Sequence, residues 1–192
     1  MKELLDKIRS CTICLPHLIN GVNPVLAAHR NSKIAIIGQA PGTVVHKSGI
    51  PWDDKSGERL RAWLGIDNTD FYNAEKVALI PMGFCYPGKG KSGDLPPRNE
   101  CAPEWHESLF KEMKNLQIII LIGTYAQSYY LKERKKKTLT ETVKNHAEYL
   151  PKYLPLPHPS PRNNIWLSKN AWFEIEVIPI LQDRVRAICN SK

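Results

Sequence analysis

Long apolar runs are missing from this sequence. No stretch approaches the roughly 20 consecutive apolar residues that a membrane-spanning helix needs. The N-terminal segment from Met1 to Arg9 mixes Lys, Glu, Asp and Arg into an amphipathic pattern, where a secretory leader would need an uninterrupted apolar region. A cytoplasmic location with no membrane partner is therefore expected. Acidic side chains are also short: 19 Asp and Glu stand against 27 Lys and Arg, a formal net charge of +8. That balance favours contact with a polyanion, because neutralising phosphates releases condensed counterions. A basic run such as Lys132 to Lys137 serves equally well as solvated surface. Internal repeats are absent, which excludes a solenoid. With 42% hydrophobic and 24% charged residues, the composition also excludes an extensively disordered chain. A length of 192 residues suits one well-packed core and is short for two, so a single domain over 1–192 is expected, most simply a monomer.

Periodicity then places the elements. Glu3 to Arg9 reads as a short amphipathic helix. Lys33 to Gly38 carries Ile-Ala-Ile-Ile, a run suited to a buried parallel strand. Leu60, Trp63 and Leu64 give the segment Lys55 to Leu64 an apolar helical face, with Gly65 placed to cap it. Strands are expected at Val77 to Ile80, Ile118 to Ile122 and Tyr153 to Leu156. Helices are expected after Pro103 and from Gly123 to Leu131. Phe173, Val177, Leu181, Val185 and Ile188 mark a C-terminal helix, interrupted or kinked near Pro179. Alternating strands and helices argue for an α/β fold whose parallel sheet is covered on both faces and binds ligands at the carboxyl ends of its strands. Two stiff loops, Pro81 to Pro103 and Pro151 to Pro161, hold five prolines each, and ordered loops at strand ends are where chemical groups tend to be fixed.

Two motifs stand out. Gly38-Gln39-Ala40-Pro41-Gly42 directly follows the first strand, where a tight turn lets backbone amides approach a ligand. His158-Pro159-Ser160-Pro161-Arg162-Asn163 sets a histidine and a serine between prolines that restrict the backbone. Each alone reads as a structural turn. Cysteine supplies a third signal: Cys11 and Cys14 form a CxxC, and Cys85 and Cys101 follow in the loop from Pro81 to Pro103. In a reducing compartment such cysteines point to metal ligation, catalysis or burial rather than disulfides. Four thiolates suit a [4Fe-4S] cluster or tetrahedral zinc, and burial without metal stays open. Cys189 reads as a small buried hydrophobe.

Together, in this order and separation, the first two motifs resemble the signatures of the uracil-DNA glycosylase superfamily, and Leu121-Ile122-Gly123-Thr124-Tyr125-Ala126 looks like its strand-glycine-helix junction. The cysteine spacing resembles the iron-sulfur ligands of families four and five. The resemblance implies a three-layer α/β/α fold around a four-stranded parallel sheet. It also implies a base-flipping enzyme that excises uracil or another deaminated base from DNA, with Cys11, Cys14, Cys85 and Cys101 holding a structural [4Fe-4S] cluster. His158 inherits the role of stabilising the departing base. Asp54, in Asp54-Lys55-Ser56-Gly57, inherits a family-five catalytic aspartate, although it also suits a helix N-cap, and Asp53 is a weaker alternate. Gly38, Gln39, Ala40, Trp52 and His46 fall where the base is bound. Pro41, Gly42, Ser160, Arg162 and Asn163 fall where the DNA backbone is met, Arg162 either beside the vacated stack or on a phosphate. The sequence departs from the family in three places. Gln39 and Ala40 stand where family four has Glu and family one has Asp. The base-reading asparagine has no match in Ala78 to Met82, and Lys132 to Lys144 has no counterpart. The first two departures leave room for a member that binds DNA or a nucleotide without cleaving it.

Overall fold

The computed structural model describes residues 1–190. Its centre is a four-stranded, all-parallel sheet of β1 (Ile34–Ile37), β2 (Val77–Leu79), β3 (Ile118–Ile122) and β4 (Tyr153–Leu156), in the order β2-β1-β3-β4. Both faces are covered, which is why the strands are continuous apolar runs rather than alternating ones. Successive side chains still point to opposite faces. Ile34 and Ile36 with Ile118, Ile120 and Ile122 enter one core, and Ala35 and Ile37 with Ile119 and Leu121 enter the other.

On the first face lie α3 (Lys55–Leu64), α4 (Asn68–Tyr72), α7 (Leu139–Lys144) and α9 (Ile178–Asn190), contributing Leu60, Trp63, Leu64, Phe71, Val143, Leu181, Val185 and Ile188. On the second lie α1 (Lys2–Arg9), α5 (Glu107–Glu112) and α6 (Gly123–Leu131), contributing Leu5, Ile8, Leu109, Ala126 and Leu131. The result is the three-layer α/β/α arrangement. Cys189 packs partly buried against the first core. No helix among the described residues is long and apolar enough to cross a membrane.

Local chemistry fixes the element ends. Asp54 caps α3 by accepting from the Gly57 amide at 2.8 Å, and Gly65 closes it in the left-handed conformation at φ 68°. The segment from Lys132 to Lys144 is part of the core. Thr138 and Glu141 form a reciprocal capping box that starts α7, and Val143 is fully buried. Its basic approach is engaged locally: Arg134 lies over the Tyr149 ring, Lys136 pairs with Glu148 and Lys135 donates to Ser128. Near Pro179 the helix does not break. A wider π turn over Phe173–Val177 leads directly into α9, and the helix passes Pro179, which has no N–H to donate, just after that turn. A similar turn over Ala102–His106 leads into α5. The short helices α2 (Thr43–Ser48) and α8 (Asn164–Lys169) complete the set.

His106 ties this frame to the end of β2. It is buried, and its Nε2–H donates to the Pro81 carbonyl at 3.1 Å, which leaves Nδ1 to accept from the Tyr130 hydroxyl. The ring also stacks on Phe84 with centroids 5.6 Å apart. Burial lowers its pKa from 6.5 to about 4, against a small upward pull from the Pro81 carbonyl. Unfolded, this histidine takes up a proton near pH 6.5; folded, it resists until about pH 4. Its contribution is therefore complete above pH 6.5 and is lost as pH falls toward 4, by up to about 3 kcal/mol. Urea denaturation between pH 7 and 4 is expected to show a shallower loss of stability in His106→Gln than in the wild type. Parallel curves would contradict the assignment.

Candidate active site

The chain steps from β1 to β2 on one side and to β3 on the other, so the loops after these strands diverge and leave a crevice at the carboxyl edge of the sheet. A cleft of about 580 Å³ opens there, large enough for a nucleobase with its sugar. Both sequence motifs line it. Gly38, Gln39, Ala40, Pro41 and Gly42 come from the end of β1, and His158, Ser160, Arg162 and Asn163 from the end of β4.

Motif one is held by the chain beyond β2. Met82 N–H donates to the Gly38 carbonyl at 2.9 Å and Gly83 N–H to the Gln39 carbonyl at 3.0 Å. Motif two is held by two internal hydrogen bonds and one from α3. Asn163 Nδ2 donates to the His158 carbonyl at 2.8 Å, Arg59 reaches the Ser160 carbonyl at 3.3 Å, and the Ser160 hydroxyl accepts from the Arg162 amide at 3.3 Å. Beneath them, buried Gln127 donates from Nε2 to the carbonyls of Leu121 and Leu156, joining the ends of β3 and β4 just before His158. Gly123, at φ 78°, adopts the left-handed backbone that favours glycine where β3 turns into α6 below His158.

Trp52 is the most constrained residue of the cleft. Its backbone is left-handed at φ 58°, a conformation that costs a non-glycine residue roughly 1–2 kcal/mol. Its carbonyl accepts from Arg61 at 3.4 Å and from the Tyr72 hydroxyl at 3.3 Å. Gly57 is required beneath it, since a Cβ at that position would fall 1.8 Å from the Trp52 oxygen. Gly38 is required by the indole itself, which would meet a Cβ there at 2.7 Å. The ring thus lies across the floor of motif one, with its centroid 5.7 Å from that of His158.

The Ser160 amide donates to His158 Nδ1 at 3.2 Å. That nitrogen must be the acceptor, so the imidazole is neutral with its proton on Nε2. Electrostatics agree: burial lowers the His158 pKa, while the Asp54 and Asp94 carboxylates pull it back up. Asp54 lines the same cleft. The capping role and a place in the site coincide in it, because the cap uses only Oδ1.

Not every expected residue reaches the cleft. His46 lies on α2 behind the wall, with its ring 5.8 Å from that of Tyr86 and its Nδ1 buried without a partner. Asp53 is exposed and outside the lining. The cleft also gathers residues to which the motifs gave no role, among them Tyr125 on α6, Ser56 on α3, and Asp94 in the first proline-rich loop. The glycines at 88, 90 and 93, which permit a tight hairpin just before Asp94, were the signal for the last.

The cysteines gather away from the cleft. Cys14, Cys85 and Cys101 are buried in one small cluster with Leu18, and Cys11 is close enough to act on the charge of Cys85 and Cys101. All are free thiols. Burial raises the pKa values of Cys14, Cys85 and Cys101, that of Cys101 to about 12, and neighbouring thiols add to the effect at Cys85 and Cys101. In kind and number they fit a four-thiolate centre, although no three Cys, His, Asp or Glu among the described residues stand at metal-ligand geometry.

An NMR titration is expected to place the His158 pKa below 6.5. Asp54→Asn should lower it further, because the substitution removes a charge that favours the imidazolium. A pKa unchanged or raised in the variant would show that Asp54 does not act on this ring.

Comparison with known proteins agrees with this geometry. The chain is 28% identical to a protein of Thermotoga maritima named Type-4 uracil-DNA glycosylase, over 97% of this chain and 92% of that one. The family model described as "Uracil DNA glycosylase superfamily" matches residues 25–182, which include both motifs and every strand of the sheet. This chain belongs to the uracil-DNA glycosylase superfamily.

Proposed function

We propose that this protein is a monofunctional DNA-repair glycosylase, hydrolysing the N-glycosidic bond of uracil or another deaminated base in DNA and leaving an abasic site. The observation that carries this reading is His158. It is a neutral imidazole whose Nδ1 is occupied by the Ser160 amide, so that Nε2–H is its donor, in a cleft shared with the Asp54 carboxylate and the Trp52 ring.

Breaking the bond sends its electron pair to the base and leaves positive charge on the sugar, as in glycoside hydrolysis. A preorganised donor lowers the barrier where negative charge develops, and His158 Nε2–H is placed to serve a base oxygen. A neutral donor also avoids the cost of holding an imidazolium in the buried wall. Asp54 serves the other side, its second oxygen free of the helix cap to orient water or face the cationic sugar. Trp52, fixed over Gly38, offers a stacking surface for an extruded base, and motif one supplies backbone at its edge. Ser160, Arg162, Asn163 and the turn at Pro41 and Gly42 border the mouth of the cleft, where the DNA backbone would pass.

The four cysteines hold a [4Fe-4S] cluster in this reading. Such a group supplies no step of base release. It ties the N-terminal segment at Cys11 and Cys14 to the loop that carries Cys85, Cys101 and one wall of the cleft. Its support is the convergence of four unpaired thiols from separate segments and the likeness to a type-4 enzyme.

Single-turnover assays with uracil-, hypoxanthine- or xanthine-containing oligonucleotides, single- and double-stranded, are expected to show base release. The rate should fall about tenfold or more in His158→Ala and in Asp54→Ala. No release from any of them would support a member that binds DNA without cleaving it. Affinity for DNA should weaken steeply with salt, and indifference to salt would deny the basic surface a role. Purified protein should contain iron and acid-labile sulfide, both lost in Cys101→Ser. Zinc in their place would refute the cluster assignment.

A further inference from the structure

We propose that Asp94 is a second carboxylate of the base-releasing reaction, holding the attacking water and taking its proton on the sugar side of the cleft. The proposal rests on the glycosylase reading above. Its starting point is a deficit: Gln39 and Ala40 leave motif one without an ionisable group, and Asp54 has one oxygen committed to the Gly57 amide.

Asp94 is delivered to the cleft by a built turn. The Gly90 amide donates to the Gly93 carbonyl at 2.6 Å, the Leu95 amide to the Gly88 carbonyl at 2.8 Å, and Lys89 and Asp94 pair as an antiparallel bridge. Gly88 at φ 103° and Gly93 at φ 152° adopt backbone that other residues rarely take. Gly93 also leaves room for motif two, since a Cβ there would stand 2.6 Å from Arg162 Nη1. On the other side, Asp94 Oδ2 comes within 3.5 Å of the position a Cβ on Gly42 would take. The carboxylate therefore sits between the end of motif one and the arginine of motif two.

It is also uncommitted. Among the described residues it accepts a single hydrogen bond, from the buried Tyr86 hydroxyl to Oδ1 at 3.4 Å, and it joins no ion pair despite Lys89 and Lys91 on its own turn. Oδ2 is left for a water, and the exposed position lets water arrive.

Charge decides which side of the reaction this group serves. A carboxylate beside the departing base would oppose the negative charge that develops there. Beside the sugar it stabilises the developing cation and accepts a proton as the nucleophile attacks. In the step, the water oxygen bonds to the anomeric carbon while the bond to the base nitrogen breaks and its electron pair leaves with the base. The water's proton passes to Asp94 and then to solvent, and the released base anion takes a proton from solvent.

The test is single-turnover release, with enzyme in excess over the oligonucleotide that the wild type cleaves fastest, for wild type and Asp94→Asn. The exposed, nearly isosteric change leaves the turn intact. The saturated rate constant is expected to fall by roughly tenfold or more, while the Kd for the same DNA stays equal or tightens because a negative charge near phosphates is gone. An unchanged rate constant would overturn the proposal. So would a loss confined to Kd, which would make Asp94 a DNA-positioning group. Failure of the wild type to release any base would instead sink the glycosylase reading, so the two failures are distinguishable.

Discussion

The parallel register of the four strands is the constraint on which the rest depends. Ile37 on β1 stands opposite Leu121 on β3, and Leu121 opposite Pro155 on β4. The residues that follow each strand therefore emerge at one level. Gly38, Gly123 and His158 meet there because the strands before them are in register. Burial on both faces makes that register costly to change: a slip of one residue would exchange the side chains of the two cores, setting Ala35 and Ile37 where Ile34 and Ile36 now pack. The chemical site is thus set by apolar packing that never touches a ligand.

On that edge the protein holds one conformation that its own backbone disfavours. The left-handed Trp52 costs about 1–2 kcal/mol, comparable to what two hydrogen bonds contribute net. Two hydrogen bonds to its carbonyl, from Arg61 and Tyr72, are the partners observed. The glycines at 38 and 57 are then consequences rather than independent features. One accepts the indole and the other the carbonyl, and neither position tolerates a side chain while Trp52 stays in place. This explains in steric terms why the glycine of Asp54-Lys55-Ser56-Gly57 belongs to the same functional unit as motif one, although they are separated in sequence.

What could be read from the sequence were features that depend on near neighbours in the chain. The limits of α3, with Asp54 at one end and Gly65 at the other, follow from capping chemistry within a few residues. Strands β1, β3 and β4 follow from dense apolar runs. The unread features depend on partners far away. Helices α2, α4 and α8 are of five or six residues, too short to display a period. The role of Gln127 exists only because the Leu121 and Leu156 carbonyls end adjacent strands. For Asp94 the glycines before it signal a turn and no more, and its meaning comes from the Gly42 and Arg162 that the fold sets on either side. His46 illustrates the converse: the resemblance put it where the base is bound, whereas α2 sets its ring against Tyr86, outside the cleft lining.

Asp54 shows why a structural and a chemical reading of one residue need not compete. An N-cap fixes the carboxylate at the start of α3, where Oδ1 accepts from the Gly57 amide. The same placement keeps the other oxygen within electrostatic reach of His158, whose pKa it raises against the desolvation that lowers it. Burial alone would suppress the imidazolium strongly. The carboxylate softens that without removing it, and the Ser160 amide selects the tautomer. A neutral donor and a fixed anion share the cleft, each held by a contact that local folding supplies. Bond cleavage that separates charge, positive on the sugar and negative on the base, is the chemistry such a pair favours, because both groups are oriented before any substrate arrives.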